Sequence, residues 1–120
     1  MNTKMSYTYR DADNYKSSTE IVISGEITEA QVARIVAKLD ADTYFIPEQL
    51  DLPAKRLDDY PYDPEVDHPY CELVGFESTK QDATEDITAD ELVAAFEAVE
   101  SWDESLDVFA GRPIRQPAAE

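Results

Sequence analysis

Hydrophobic and polar residues alternate near the start of the chain, and this period of two is typical of a half-buried β-strand. Over 5–9, Met5, Tyr7 and Tyr9 share one side while serine and threonine take the other. A second apolar run, 21–23, contains only β-branched residues, which suit a central strand. The residues between the two runs are polar and predict a loop. We therefore expect these strands to pair as a hairpin with a long connection.

The strand pattern returns further along the chain, after a segment rich in proline. Prolines lack a backbone donor, and their repeated occurrence over 53–69 disfavours regular structure and predicts a long loop. The run that follows predicts a strand with Tyr70, Val74 and Phe76 on one face.

Two segments have the apolar spacing of an amphipathic helix, and both begin in the same way. Thr28 with Gln31, and Thr88 with Glu91, have the spacing of a capping box. The first apolar stripe predicts a helix over 28–39. The second stripe fits one helix over 89–110, or two helices with a break near a new cap at Ser101.

Together these elements predict an α+β fold, with a small antiparallel sheet and two or three helices packed on one face. A chain of 120 residues suggests a single domain, which we expect to occupy 1–111. The last residues, 112–120, follow a glycine and a proline stop signal and are expected to form a loose tail.

Charge narrows the range of partners. The chain has 27 acidic and 10 basic side chains, for a net charge of -17. Such a charge disfavours direct binding to nucleic acid or to an anionic membrane and favours a basic protein, a cation or a salty cytoplasm. The imbalance is strongest over 81–111, where ten acidic residues occur and no basic one.

The same composition disfavours an enzyme. A single histidine and a single cysteine, Cys71, cannot complete a zinc set. The three glycines are scattered, so no phosphate loop is predicted. Cys71 is expected to be a small core residue. No cofactor is expected, and the absence of an apolar span or signal core predicts a cytoplasmic protein.

The first candidate site is an acidic face on the last helix. A helical wheel places carboxylates opposite the apolar stripe, with no Lys or Arg nearby in the sequence to relieve them. One interpretation is a docking surface for a basic protein, another is a solvated face or an adaptation to salt, and the extreme case is a mimic of DNA. The residues of this face are Asp90, Glu97, Glu100, Glu104 and Asp107.

The second candidate site is the aromatic loop before the last strand. Tyr60, Tyr62, His68 and Tyr70 suit a loop that contacts a peptide, because tyrosine offers a large contact area at low entropic cost. The alternative is a connection that prolines stiffen and tyrosines pack. Asp63, Glu65 and Asp67 have the first spacings of a calcium loop, but the later glycine and glutamate are missing.

Three stretches resemble small acidic bacterial proteins of unknown function. They are YTYRDADNYK at 7–16, YFIPEQLDLP at 44–53 and HPY at 68–70. The resemblance implies a bacterial cytoplasmic protein and brings no activity with it. The sequence therefore predicts a non-enzymatic interaction module for a basic partner.

Overall fold

Four antiparallel strands and two short helices form the α+β fold in the computed structural model, which describes residues 1–10, 15–55 and 68–106. The strand order is β2-β1-β4-β3. The strands are β1 (Asn2–Arg10), β2 (Lys16–Ile23), β3 (Tyr44–Phe45) and β4 (Cys71–Thr79). The helices are α1 (Glu29–Val36) and α2 (Ala89–Ala98), and a short 3-10 helix covers Pro47–Leu50.

The predicted hairpin is confirmed. β1 pairs with β2 in antiparallel register, with Met5 opposite Ile21 and Thr3 opposite Ile23. All four of these side chains are buried, because alternate residues of both strands face the same core.

The prediction for the last strand is wrong in one respect, because β4 contains a bulge. Leu73 lies opposite Tyr7 and Gly75 lies opposite Ser6, so Val74 has no partner on β1. The extra residue changes the phase of the strand. As a result Phe76 packs against the core, whereas Val74 is 68% exposed.

One hydrophobic core joins the helices to the sheet. Ile35 of α1 and Phe96 of α2 are fully buried in the same cluster as Tyr7 and Phe45. The rings of Phe45 and Phe96 lie 5.6 Å apart, within the range of favourable aromatic contacts. The packing of all helices on one face of the sheet stays a prediction.

Both helices begin as the sequence predicts. Thr28 and Thr88 each accept a hydrogen bond from the N–H of the residue three positions on, at 3.1 Å. Gln31 and Glu91 return the bond to the N–H of the cap, which completes both capping boxes. α1 then ends at Val36, slightly before the predicted 28–39 limit, and continues as turns to Leu39.

The prediction of one helix over 89–110 is wrong, because α2 ends at Ala98. Val99 adopts an extended conformation, and the side chain of Gln49 holds the segment that follows. This amide donates to the main-chain oxygen of Ser101 at 2.9 Å and accepts from the N–H of Asp103 at 2.9 Å. Between 99 and 106 the structure has no helix, so the alternative cap at Ser101 is also not observed there. The predicted tail, 112–120, lies outside the described residues.

Candidate functional site

Glu97, the centre of the predicted acidic face, forms an ion pair with Arg34 of α1. Its carboxylate accepts from both the Nε of Arg34, at 3.1 Å, and a terminal guanidinium nitrogen. Hydrogen bonding from Arg34 holds the pKa of Glu97 below its usual value, and the same contact raises the pKa of Arg34. No Lys or Arg lies near this face in the sequence, but Arg34 reaches Glu97 from another helix.

Asp90, at the start of α2, is also engaged across the two helices. Its carboxylate accepts a hydrogen bond of 2.7 Å from the side-chain amide of Gln31. Since Gln31 also completes the capping box of α1, one side chain ties the first turn of α1 to the first turn of α2. Asp90 and Glu97 thus link α1 to α2.

The other predicted members of the face do not extend it along a helix. Glu100 and Glu104 follow the end of α2 and are exposed in non-helical chain. Asp107 lies outside the described residues. The regular spacing of carboxylates on which the DNA-mimic hypothesis depends needs a helix over this whole stretch, and that helix ends at Ala98.

The two candidate sites meet at Tyr70. Its phenol lies near the carboxylates of Glu104 and Asp40, and burial together with these charges raises the pKa of Tyr70 to about 12. The rings of His68 and Tyr44 pack beside it, with centroids 5.9 Å and 6.3 Å away. Tyr60 and Tyr62, and the calcium-like acids of 63–67, lie outside the described residues.

A pocket that the sequence analysis did not anticipate lies between the 3-10 helix and the start of α2. It has a volume of about 420 Å³, and no Lys or Arg is among the described residues that line it. Its lining combines an apolar floor, which includes the buried Leu50 and Leu52, with four carboxylates. We call this the acidic pocket, and it is lined by Leu50, Asp51, Leu52, Glu85, Asp86, Ile87, Glu91 and Ala95.

Backbone hydrogen bonds fix the walls of the acidic pocket. Asp51 has a left-handed conformation, with φ of 58°, and its N–H donates to the oxygen of Glu48 at the end of the 3-10 helix. On the other wall, the N–H of Glu85 donates to Val22 of β2 at 3.3 Å. The carboxylate of Glu91 is held by the capping box. Such anchored backbone lowers the ordering cost of binding.

Part of the acidic pocket had a signal in the sequence. Glu85 and Asp86 lie three and two residues before the cap at Thr88, within the base-free run, so the sequence alone could have made them candidates. Asp51 had no such signal, because a left-handed turn and a tertiary contact bring it to the pocket.

Comparison of the chain with known protein families, curated proteins and solved structures finds no match. Function has therefore to be inferred from the surface itself. None of the helices in the described ranges has the length and apolar character needed to cross a bilayer. Across 1–10, 15–55 and 68–106, no group of three or more His, Cys, Asp or Glu could hold a metal ion. Cys71 is buried in the core, as the sequence predicts.

Proposed function

We propose that this protein is a small non-enzymatic binding module that engages a basic protein partner through the acidic pocket. The observation that carries the proposal is the set of four carboxylates around an apolar floor, with no basic residue in the described lining. Lysine and arginine have the complementary shape, because each places a charged group at the end of an aliphatic stem.

A basic side chain entering the acidic pocket would make two kinds of contact. Its stem would lie on Leu50 and Ile87, which are apolar and partly or fully buried. Its charged group would face Asp51, Glu85 and Asp86 at the rim. Charge complementarity of this kind speeds association and makes it sensitive to salt.

The acidic pocket is better supported than the face predicted on α2. Asp90 and Glu97 already bind side chains of α1, so a partner would have to replace those contacts. In contrast, none of the ion pairs among the described residues involves a carboxylate of the acidic pocket. A basic partner would therefore bind there without breaking an existing ion pair.

Affinity capture from a lysate of the source organism tests the proposal with two variants of equal charge. The pocket variant carries Asp51→Asn, Glu85→Gln and Asp86→Asn, and asparagine tolerates the left-handed conformation at 51. The face variant carries changes that neutralise the same number of carboxylates, Glu97→Gln, Glu100→Gln and Glu104→Gln. Circular dichroism establishes that all three proteins fold.

The expected result is a basic protein that the native chain and the face variant retain, that the pocket variant loses and that added salt releases. If only the face variant failed to retain the basic protein, the partner would still be basic but its binding site would be the α2 face and not the acidic pocket. Equal retention by all three proteins, or no basic protein even at low salt, would overturn the proposal, because the acidity would then serve solvation.

A further inference from the structure

One edge of the sheet is open over most of its length. β3 pairs only with Cys71 and Glu72 of β4, and the N–H of Leu73 donates to Thr43 at 2.9 Å. Beyond that point, over 74–79, the side of β4 that faces away from β1 has no partner strand in the part of the chain that the structure describes. We call this the free edge of β4. An edge of this kind presents unpaired N–H and C=O groups to another strand.

The opposite edge of the sheet is covered in part, at the end of β2 that contains Val22. Val22 of β2 exchanges hydrogen bonds with Thr84, at 2.8 Å in each direction. Ser24 donates to the oxygen of Ile87 at 3.1 Å, and the hydroxyl of Thr19 accepts from Lys55 at 2.8 Å. An incoming strand therefore meets fewer obstacles at the free edge of β4 than at the Val22 end of β2.

An apolar groove runs between α1 and the free edge of β4. Two adjoining hollows of about 270 Å³ and 260 Å³ share Val32 of α1 and Phe76 of β4. Apart from these two residues, the apolar side chains of the α1–β4 groove are Ile27, Val36, Leu39, Leu73 and Val74. An extended chain beside β4 would send every second side chain into this groove.

The charge around the groove indicates which residues an incoming strand should have at the positions that do not enter the groove. Glu29, Asp42 and Glu77 line the two hollows, and no Lys or Arg does so in the described ranges. Glu77 lies opposite Lys4, on the sheet face away from Met5, and its pair with Lys4 is loose at 3.8 Å. Basic residues that alternate with the apolar ones would therefore face Glu77.

We propose that the free edge of β4 binds an extended peptide in which apolar residues alternate with lysine or arginine, so that the peptide becomes a fifth strand. Strand addition of this kind takes affinity from main-chain hydrogen bonds and specificity from side-chain pockets. A second copy of the chain is disfavoured as the occupant, because both copies carry a charge of -17. This surface is separate from the acidic pocket, so either proposal can fail alone.

The probe is a synthetic peptide pool, about nine residues long to suit a strand, with lysine or arginine at alternate positions and varied apolar residues between them. Binding to the native protein is compared for the best member and for a twin in which alternate backbone nitrogens are methylated. The twin keeps every side chain and charge but loses strand hydrogen bonds. We expect the methylated twin to bind at least about tenfold more weakly than its parent.

Two variants of α1 locate the binding. Val32→Lys fills the α1–β4 groove and adds a charge that repels a basic peptide, since Val32 lines both hollows. Ala33→Lys adds the same charge to the same helix at an exposed position that lines neither. We expect about tenfold weaker binding by the first variant and a much smaller change for the second, with circular dichroism confirming that both fold.

Four results would overturn the proposal. The methylated twin could bind as well as its parent, which would show attraction between charges without strand addition. The two variants could weaken binding equally, which would show that the peptide does not bind in the α1–β4 groove. The third result is that no peptide of the pool binds. The fourth is that the native chain forms a dimer that Val32→Lys abolishes, which would make a second copy the occupant of the free edge of β4.

Discussion

The indole Nε1 of Trp102 donates a hydrogen bond of 3.0 Å to the main-chain oxygen of Lys38. Lys38 belongs to the turn that follows α1, so this bond satisfies a carbonyl that the helix leaves without a partner. The same ring contacts Phe45 and Phe96, with centroids 6.4 Å and 6.1 Å away. One side chain thus anchors the chain after α2 to the end of α1 and to the core.

We expect Trp102→Phe to lower the free energy of unfolding by about 1 kcal/mol, because the aromatic contacts remain while the hydrogen bond is lost. Trp102→Ala should cost more, since it also opens a cavity beside Phe45 and Phe96. Urea unfolding followed by circular dichroism measures both. Equal stabilities for the native protein and the phenylalanine variant would show that the bond to Lys38 contributes nothing.

Removal of a helix cap gives a second prediction. Thr88→Ala deletes the side chain that accepts from Glu91 and should lower the free energy of unfolding by about 1 kcal/mol. Thr88→Ser keeps the acceptor oxygen and serves as the control. The comparison is made by urea unfolding, and an alanine variant as stable as the serine variant would contradict the role of the capping box.

The pair between Arg34 and Glu97 predicts a stability that depends on pH. The fold lowers the pKa of Glu97 from its ordinary value of 4.5, so the pair stabilises the protein above that pH. The contribution is lost as the pH falls through the lowered pKa. Arg34→Gln should therefore destabilise the protein at neutral pH but not in strong acid, although only slightly, because both groups are exposed.

Lys80→Gln is the matched control for this pair, since it removes the same charge from an exposed position. Thermal unfolding midpoints of the native protein and both variants across acid and neutral pH give the comparison. A difference between Arg34→Gln and the control that persists in acid would mean that Arg34 acts through packing and not through Glu97.

Tyr70 should ionise later than an ordinary tyrosine, with a pKa of about 12 instead of 10.0. Burial is the largest cause, so Glu104→Gln should lower this pKa but leave it above 10.0. Subtraction of the tyrosinate absorbance of a Tyr70→Phe variant isolates the titration of Tyr70. An unchanged pKa in the glutamine variant would show that Glu104 does not face the phenol.

The raised pKa of Tyr70 also determines how this residue changes the stability of the protein with pH. The fold favours the neutral phenol, so its contribution to stability is present below pH 10.0 and is lost as the pH rises through about 12. In the Tyr70→Phe variant, the free energy of unfolding should therefore decrease less at high pH than in the native protein. The midpoints of urea unfolding in alkaline buffer, compared with those at neutral pH, measure this change.

Local patterns were enough to predict the starts of both helices and the β1–β2 hairpin. A capping box and an alternating strand are each determined by residues close in the sequence, so Thr28, Thr88 and the strand at 5–9 could be recognised without tertiary information. The burial of Cys71 was predicted from its small, apolar side chain and is confirmed.

The end of α2 could not be predicted in this way, because the apolar spacing continues past it. Val99 and Trp102 are apolar at helical spacing and do pack against the core, but they reach it from the non-helical chain that follows α2. The contact that replaces the helical hydrogen bonds comes from Gln49, which is distant in the sequence. Arg34 is likewise remote from Glu97 in the sequence, so a helical wheel of α2 could not show the ion pair between them.

Because of the bulge, β4 has one residue more than it needs to pair with β1, and that residue is Val74. Without it, Leu73 would precede Gly75, and both would keep the partners on β1 that they have now. A deletion at Val74 is thus a change in chain length that β4 could accommodate during evolution, with its inward-facing side chains unchanged.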